Sequence, residues 1–271
     1  MKPYFYAVRK IAQYAFVGIV TVALNSCSTF TPDDESSHAS YSMSEPFVLG
    51  YGVAEEGAFE MFAVNGSVEI IGVEGATSID IWGKRIVKAE SREDASAHIN
   101  DIEFNIHQGR YNLMFETIMP TAFSGREYEV EYHVRVPMAW DVSIYHKNGR
   151  IDARSITSAL SIDLSNGEVV FDSIDGDVST HVENGIISGD IQMNCGNTCK
   201  LGITNGRIDL YIPEDLSAIL TANVITGTVD VSELSVEDLN DSADGFCGCL
   251  GDGDKTVDLS AVNGTIRVRC R

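Results

Sequence analysis

The sequence predicts an all-β fold: a β-solenoid of stacked parallel β-coils of about 18–21 residues, with a less regular N-terminal β cap. Three observations predict it. Asn-Gly pairs recur at Asn148-Gly149, Asn166-Gly167, Asn184-Gly185, Asn205-Gly206 and Asn263-Gly264, with Thr226-Gly227 in the same role. Apolar residues alternate with polar ones on both sides of each pair, the period of a half-buried strand. Like residues also stand at like offsets from one pair to the next, which a stack of coils requires and a hairpin meander does not.

The chain opens on an apparatus for export. Lys2, Arg9 and Lys10 precede a 14-residue apolar stretch, Ile11 to Leu24, shorter than the roughly 20 residues that span a bilayer. The exit Leu24-Asn25-Ser26-Cys27 resembles the bacterial lipobox. That resemblance implies a signal peptide over 1–26, diacylation of Cys27 and a lipid anchor. Ser28 after the Cys implies sorting to the outer membrane. Residues 27–45, rich in Ser, Thr and Asp, then read as a flexible tether.

Residues 46–136 form the N-terminal β region. Phe47 to Gly52, Met61 to Ile71, Ser78 to Val87, Ile102 to His107, Tyr111 to Glu116 and Tyr128 to Val136 read as strands. Ala89 to Asn100 is polar and reads as a short helix or loop. Val64-Asn65-Gly66-Ser67-Val68-Glu69-Ile70 matches the later repeat, so a first coil starts there.

The repeats proper occupy 137–271. Successive pairs are 18, 18, 21, 21 and then 37 residues apart, the last interval holding an insertion at about 232–255. Three residues past each Asn or Thr stand Ile151, Val169, Ile187, Ile208, Val229 and Ile266. Two residues before stand His146, Leu164, Val182, Ile203, Val224 and Ala261. Gly supplies a positive φ at each bend, and the Asn amides are placed to ladder from coil to coil. Tyr128-Glu-Val-Glu-Tyr-His-Val-Arg-Val-Pro137, leading into units such as Asn166-Gly-Glu-Val-Val-Phe-Asp-Ser-Ile-Asp-Gly-Asp-Val, resembles the bacterial β-repeat families named putative adhesins. These are domains of unknown function from exported proteins. The resemblance implies a fold and an address but supplies no catalytic signature.

Charge narrows the function. Forty Asp and Glu against 19 Lys and Arg give −21, and loss of the three leader cations makes it −24. Nucleic acid and electrostatic docking on anionic lipid are poor partners for such a chain. No Gly-x-Ser-x-Gly or His-Glu-x-x-His motif occurs. His38, His98, His107, His133 and His181 lack metal-ligand spacing, and His146 falls in a core column.

Beyond Cys27, five cysteines are candidate disulfide partners: Cys195, Cys199, Cys247, Cys249 and Cys270. Cys195 and Cys199 occupy apolar columns, as buried thiols or as one bridge across a bend. Cys270 is better placed for one of Cys247 and Cys249 than those two are for each other. A zinc site on Cys247, Cys249 and Cys270 lacks a His to complete it, so no metal site is assigned. Asp252 and Asp254 are weak calcium candidates within an acidic insertion carrying Glu233, Glu237, Asp238, Asp241 and Asp244. Asp152, Asp209 and Asp230 share an outward column with Arg267 at its end, and read as solvated surface acids.

The sequence therefore reads as a non-enzymatic envelope lipoprotein without cofactor, presenting a repetitive β surface for adhesion, binding or scaffolding. Its partners would be the membrane, through the anchor, and an envelope polymer or protein. Two alternatives belong to other classes. A carbohydrate-active β-helix enzyme would show two carboxylates about 5–10 Å apart in a groove. A self-assembling envelope scaffold would pair through exposed coil edges.

Overall fold

The computed structural model describes residues 41–120, 124–194, 196, 198–231, 234, 237–242 and 245–271. The leader, Cys27, most of the tether and Cys195 lie outside the described residues. Fourteen strands form one large mixed sheet: β1 (Tyr41–Gly52), β2 (Ala58–Val73), β3 (Ser78–Ala89), β4 (Glu103–Gln108), β5 (Asn112–Ile118), β6 (Glu127–Pro137), β7 (Asp141–Arg154), β8 (Leu160–Ile174), β9 (Val178–Ile191), β10 (Thr198–Ile212), β11 (Ala218–Asp230), β12 (Glu237–Ser242), β13 (Gly245–Leu250) and β14 (Lys255–Cys270). Among the described residues, one short helix, α1 (Arg92–His98), and a 3-10 turn (Ile99–Asp101) lie between β3 and β4. No helix among the described residues is long and apolar enough to cross a membrane.

The repeat governs pairing. Each of β2, β7, β8, β9, β10, β14 and β11 carries its Asn-Gly or Thr-Gly at mid-strand, which divides it into two arms. The strands pair in parallel with the pairs in register: Asn65 with Asn148, Asn148 with Asn166, Asn166 with Asn184, Asn184 with Asn205, Asn205 with Asn263 and Asn263 with Thr226. The amides form the expected ladder, each Nδ2 donating to the Oδ1 of the strand below at 2.8–3.0 Å from Asn148 through Asn263. The glycines stack beneath them so closely that no side chain fits. At Gly185, φ is +154° and a Cβ would stand 1.7 Å from the Gly167 carbonyl oxygen. The Asn-Gly signal, common in hairpin turns, here bends a strand without reversing it.

Between the arms lies the core. Val68, Ile151, Val169, Ile187, Ile208 and Ile266 form one fully buried column. Phe59, Val142, Leu160, Val178, Cys199 and Val257 form another on the opposite arm. Each such side chain is stabilised by about 1.5–3 kcal/mol of burial, supplied by the strands on either side of it. Volumes compensate along a column: Phe171 sits between Ala153 and Gly189, its bulk filling what they leave. The turns that return each strand to the next also stack. The Thr157, Asp175 and Gln192 amides donate to the Met138, Ile156 and Ile174 carbonyls at 3.2, 2.9 and 2.7 Å.

The strand order departs from chain order at two places. Strand β14 lies between β10 and β11, so the last repeat in the sequence is not the last in the sheet. The amide ladder gives a physical reason. Asn263 continues it by donating to Asn205 at 3.0 Å, whereas Thr226 lacks the amide needed to pass it on. Strand β11 is left toward the outside, where the insertion returns as β13 and β12, both paired antiparallel. At the other end, β5 pairs in parallel with the first arm of β2, and β6 with the second arm. Antiparallel β4, β3 and β1 complete that end. The repeat thus starts at β2, inside the region read as cap.

The N-terminal strands appear where the alternation places them, but β1 begins at Tyr41, so its first five residues fall within the span read as tether. An aromatic core of Phe47, Phe104, Phe115 and Tyr132 fills the space under β1, with ring centroids 4.6–6.3 Å apart. Ser91 caps α1 by accepting the Asp94 amide at 3.1 Å, and Asp94 takes both Arg126 nitrogens at 2.8 and 2.7 Å.

Candidate functional site

The two arms present different outward faces. On the second arm, after the Asn-Gly, charged residues face one another across strands. Arg150 holds Asp152 at 2.8 Å and also reaches Glu168. Arg154 and His133 share Glu69, each at 2.8 Å. Arg207 holds Asp209 at 2.5 Å, with Arg267 at 3.5 Å, and Arg269 holds Asp230 at 2.7 Å. Trp82 stacks on His133 at 5.5 Å and lies under Arg135 at 5.0 Å. Among the described residues of β7 to β11 and β14, every ion pair lies on this arm or beyond its end.

These pairings settle the acidic column. Arg267 stands between Asp209 and Asp230, because β14 lies between β10 and β11, and does not close the column. Asp209 and Asp230 are therefore two strand spacings apart, about 9.6 Å at the backbone. Arginine engages both, as it does Asp152.

The first arm differs. Three residues before each Asn or Thr, register pairing aligns one outward row: Phe62, Tyr145, Asp163, His181, Gly202, Ser260 and Asn223. Glu116 of β5 extends it beyond Phe62. Phe62 and Tyr145 are stacked, centroids 4.8 Å apart and planes 8° from parallel. They flank a groove of about 310 Å³ together with Glu116, Thr117, Lys147 and Asp163. A second groove of about 610 Å³ is lined by His181, Gly202, Ser260 and Asn223, with Val262 and Ile225 along its lip. Ile225 is 76% exposed. The grooves lie on neighbouring strands, Asp163 of the first pairing in register with His181 of the second. At Gly202 an added Cβ would meet the His181 Nδ1 at 3.2 Å, the Ser260 Oγ at 3.4 Å and, at an ordinary contact distance of 3.9 Å, the Thr180 carbonyl oxygen. Among the described residues no hydrogen bond or ion pair engages the Asp163 or His181 side chains, both exposed. A third groove, at the foot of the amide ladder, is lined by Asn65, Arg126 and Tyr128. There Asn65 Nδ2 already donates to the Tyr128 carbonyl at 3.1 Å and Arg126 is held by Asp94.

Beneath the first groove lies His146, 3% exposed in a column otherwise apolar. Its Nε2 donates to the Gly66 carbonyl at 3.1 Å, while Nδ1 is buried without a partner. Burial pulls its pKa below the ordinary histidine value.

The cysteines separate. Cys199 is fully buried as a thiol, its pKa pushed up to about 12 by burial. Cys247 and Cys249 are thiols on the outward side of β13, opposite Thr221 and Ile219. The bridge from Cys270 to either is not made, and the topology explains it. Cys270 pairs with Ile212 at the far end of β14, while Thr256 is the β14 residue level with Ile219. Thirteen residues of strand lie between Thr256 and Cys270, far beyond the roughly 7 Å that a disulfide spans. For the same reason Cys247, Cys249 and Cys270 do not form a shared thiolate site. No group of three or more His, Cys, Asp or Glu able to hold a metal ion occurs among the described residues. Asp254, one of the calcium candidates, accepts from Ser217 Oγ at 3.2 Å, and Asp252 is exposed.

No family model matches the chain, and no curated protein does. Solved structures are similar to it at low identity. A putative cell adhesion protein from Clostridium sporogenes ATCC 15579 is 15% identical, with a TM-score of 0.46 over 84% of this chain and 100% of that one. A putative adhesin from Bacteroides fragilis NCTC 9343 is 10% identical, with a TM-score of 0.28 over 83% and 97%. A putative adhesin from Parabacteroides merdae ATCC 43184 is 10% identical, with a TM-score of 0.22 over 83% and 96%.

Proposed function

We propose that this chain is a non-enzymatic envelope lipoprotein whose folded part is a β-solenoid, one coil per repeat, presenting its first-arm face to an extended binding partner. Acylation at Cys27 would fix it to the outer membrane, and residues 28–40 would hold the solenoid off the lipid surface. The observation that carries the reading is the row from Phe62 to Asn223. Seven strands place one outward position each at a step of about 4.8 Å, along grooves in which Asp163 and His181 have no intramolecular partner among the described residues. The engagement of Asp152, Asp209 and Asp230 by arginine supports a non-enzymatic role, since a glycosidase needs a carboxylate free to transfer a proton. The sheet ends favour binding over self-assembly. Edge strand β1 carries an exposed Pro46, which cannot donate to a neighbour, and the short β12 carries four acidic or amide residues.

Two measurements test this. The soluble chain 28–271 should cosediment saturably with envelope material, and Tyr145→Ala with His181→Ala should abolish that while Arg150→Ala with Arg207→Ala should not. The opposite pattern, or no cosedimentation, defeats the reading. Cys27→Ala should abolish acyl labelling, and labelling that persists would exclude the anchor.

A further inference from the structure

We propose that the first-arm trough binds an uncharged polysaccharide, its chain laid across the strands from Phe62 to Asn223. This inference rests on the binding role above and names the partner's chemistry. Four features carry it. The row that carries the two grooves runs across the strands for about 29 Å between β2 and β11, the length of a polymer segment rather than of a small metabolite. It is amphiphilic in the way a sugar chain is: apolar surface at Tyr145 and at Ile225 suits pyranose C–H faces, and Asp163, His181, Ser260 and Asn223 between them suit hydroxyl groups. A carboxylate accepting a hydroxyl makes the stronger, charge-assisted kind of hydrogen bond, and Asp163 is exposed with no intramolecular partner among the described residues. Finally, a chain carrying 21 net negative charges repels a polyanion, which leaves the neutral polymers.

The same surface disfavours an extended polypeptide. A peptide bound by strand addition needs a sheet edge, whereas the trough lies on the face of the sheet, where the backbone groups are already paired. Gly202 lines the second groove without a side chain, and filling it obstructs the path of any polymer.

The test is native electrophoresis of soluble 28–271 through gels containing a neutral (1→4)-glucan, a neutral (1→3)-glucan, a mannan or a polyuronate. Retardation is expected with at least one neutral polymer and not with the polyuronate. Tyr145→Ala and Gly202→Tyr should each weaken it at least tenfold, and Arg207→Ala on the other arm less than twofold. Melting curves keep the Gly202→Tyr result interpretable, because the two tight contacts of its Cβ are side-chain atoms that can swing aside and the Thr180 carbonyl oxygen stands at an ordinary 3.9 Å. Retardation by the polyuronate alone, by none of the four polymers, or without sensitivity to both first-arm variants overturns the proposal. Should cosedimentation with envelope material persist in that event, the binding role stands and only the sugar assignment falls. Loss of cosedimentation itself would remove both.

Discussion

Replacing Gly185 by Ala should destabilise the protein by about 3–5 kcal/mol, and the structure separates the two causes. The backbone there has φ +154°, a conformation that L side chains rarely adopt and that costs about 1–3 kcal/mol. The added methyl would also stand 1.7 Å from the Gly167 carbonyl oxygen and 2.8 Å from its carbon, both parts of a rigid, paired strand. Relief requires the two strands to part by more than an ångström, breaking the Asn184–Asn166 amide bond at 3.0 Å, with overpacking of about 1–3 kcal/mol. Gly75→Ala is the internal control. Gly75 has φ +67° but nothing within 4 Å of its Cβ, so only backbone strain of about 1 kcal/mol applies. Equilibrium urea unfolding of both variants measures the difference, which corresponds to roughly 5–10 °C in Tm for a domain of this size. A Gly185→Ala protein no less stable than Gly75→Ala would refute the close stacking of strand on strand.

Three further outcomes are expected. Asn184→Ala removes two amide bonds, to Asn166 at 3.0 Å and from Asn205 at 2.9 Å, and should lower stability by about 1–2 kcal/mol in urea unfolding, whereas an exposed Glu183→Ala should not. His146 is held neutral by burial, so the unfolded chain binds its proton first; stability is intact above the ordinary histidine pKa of about 6.5 and falls as pH drops below it. His146→Leu should flatten that acid limb and add about 1 kcal/mol at pH 5.5, and an unchanged pH dependence of Tm would count against it. In native protein, Cys247 should react with a thiol reagent while Cys199 stays protected until unfolding; a rapidly labelled Cys199 would contradict its burial.

Forward repetition was legible because the side-chain columns are the core itself. Ile151, Val169, Ile187 and Ile208 stand at one offset in the sequence because each packs on the next in space. Strand order at the end of the sheet was not legible. The 21-residue step to Thr226 is no worse than the step before it, and only the missing amide hints that the ladder passes to Asn263 instead. The disulfide reading failed through the same gap, because it took closeness of Cys270 to the insertion from chain order. The proposed binding row was partly legible: Phe62 and Tyr145 share an offset once Asn65-Gly66 is counted as a repeat. Its continuity was not, because Asp163, His181 and Gly202 have no common chemistry, and only the register of β8, β9 and β10 aligns them.

The division between the arms has a physical origin in the sheet. On a parallel, in-register stack, like charges at one offset fall directly opposite one another and destabilise the pair, so a charged column must be diluted or met by opposite charges on it or beside it. The second arm is neutralised by arginine: Glu69, Asp152, Asp209 and Asp230 are engaged by Arg150, Arg154, Arg207, Arg267 and Arg269. That balance immobilises the very groups that could meet a ligand. The first arm is diluted, with Gly202, Ser260 and Asn223 where charges would otherwise fall, and dilution leaves room. In a chain this acidic, the face without ion pairs among the described residues is the one an uncharged polymer can approach without displacing one, so the rule that keeps the strands stacked also favours the proposed binding face.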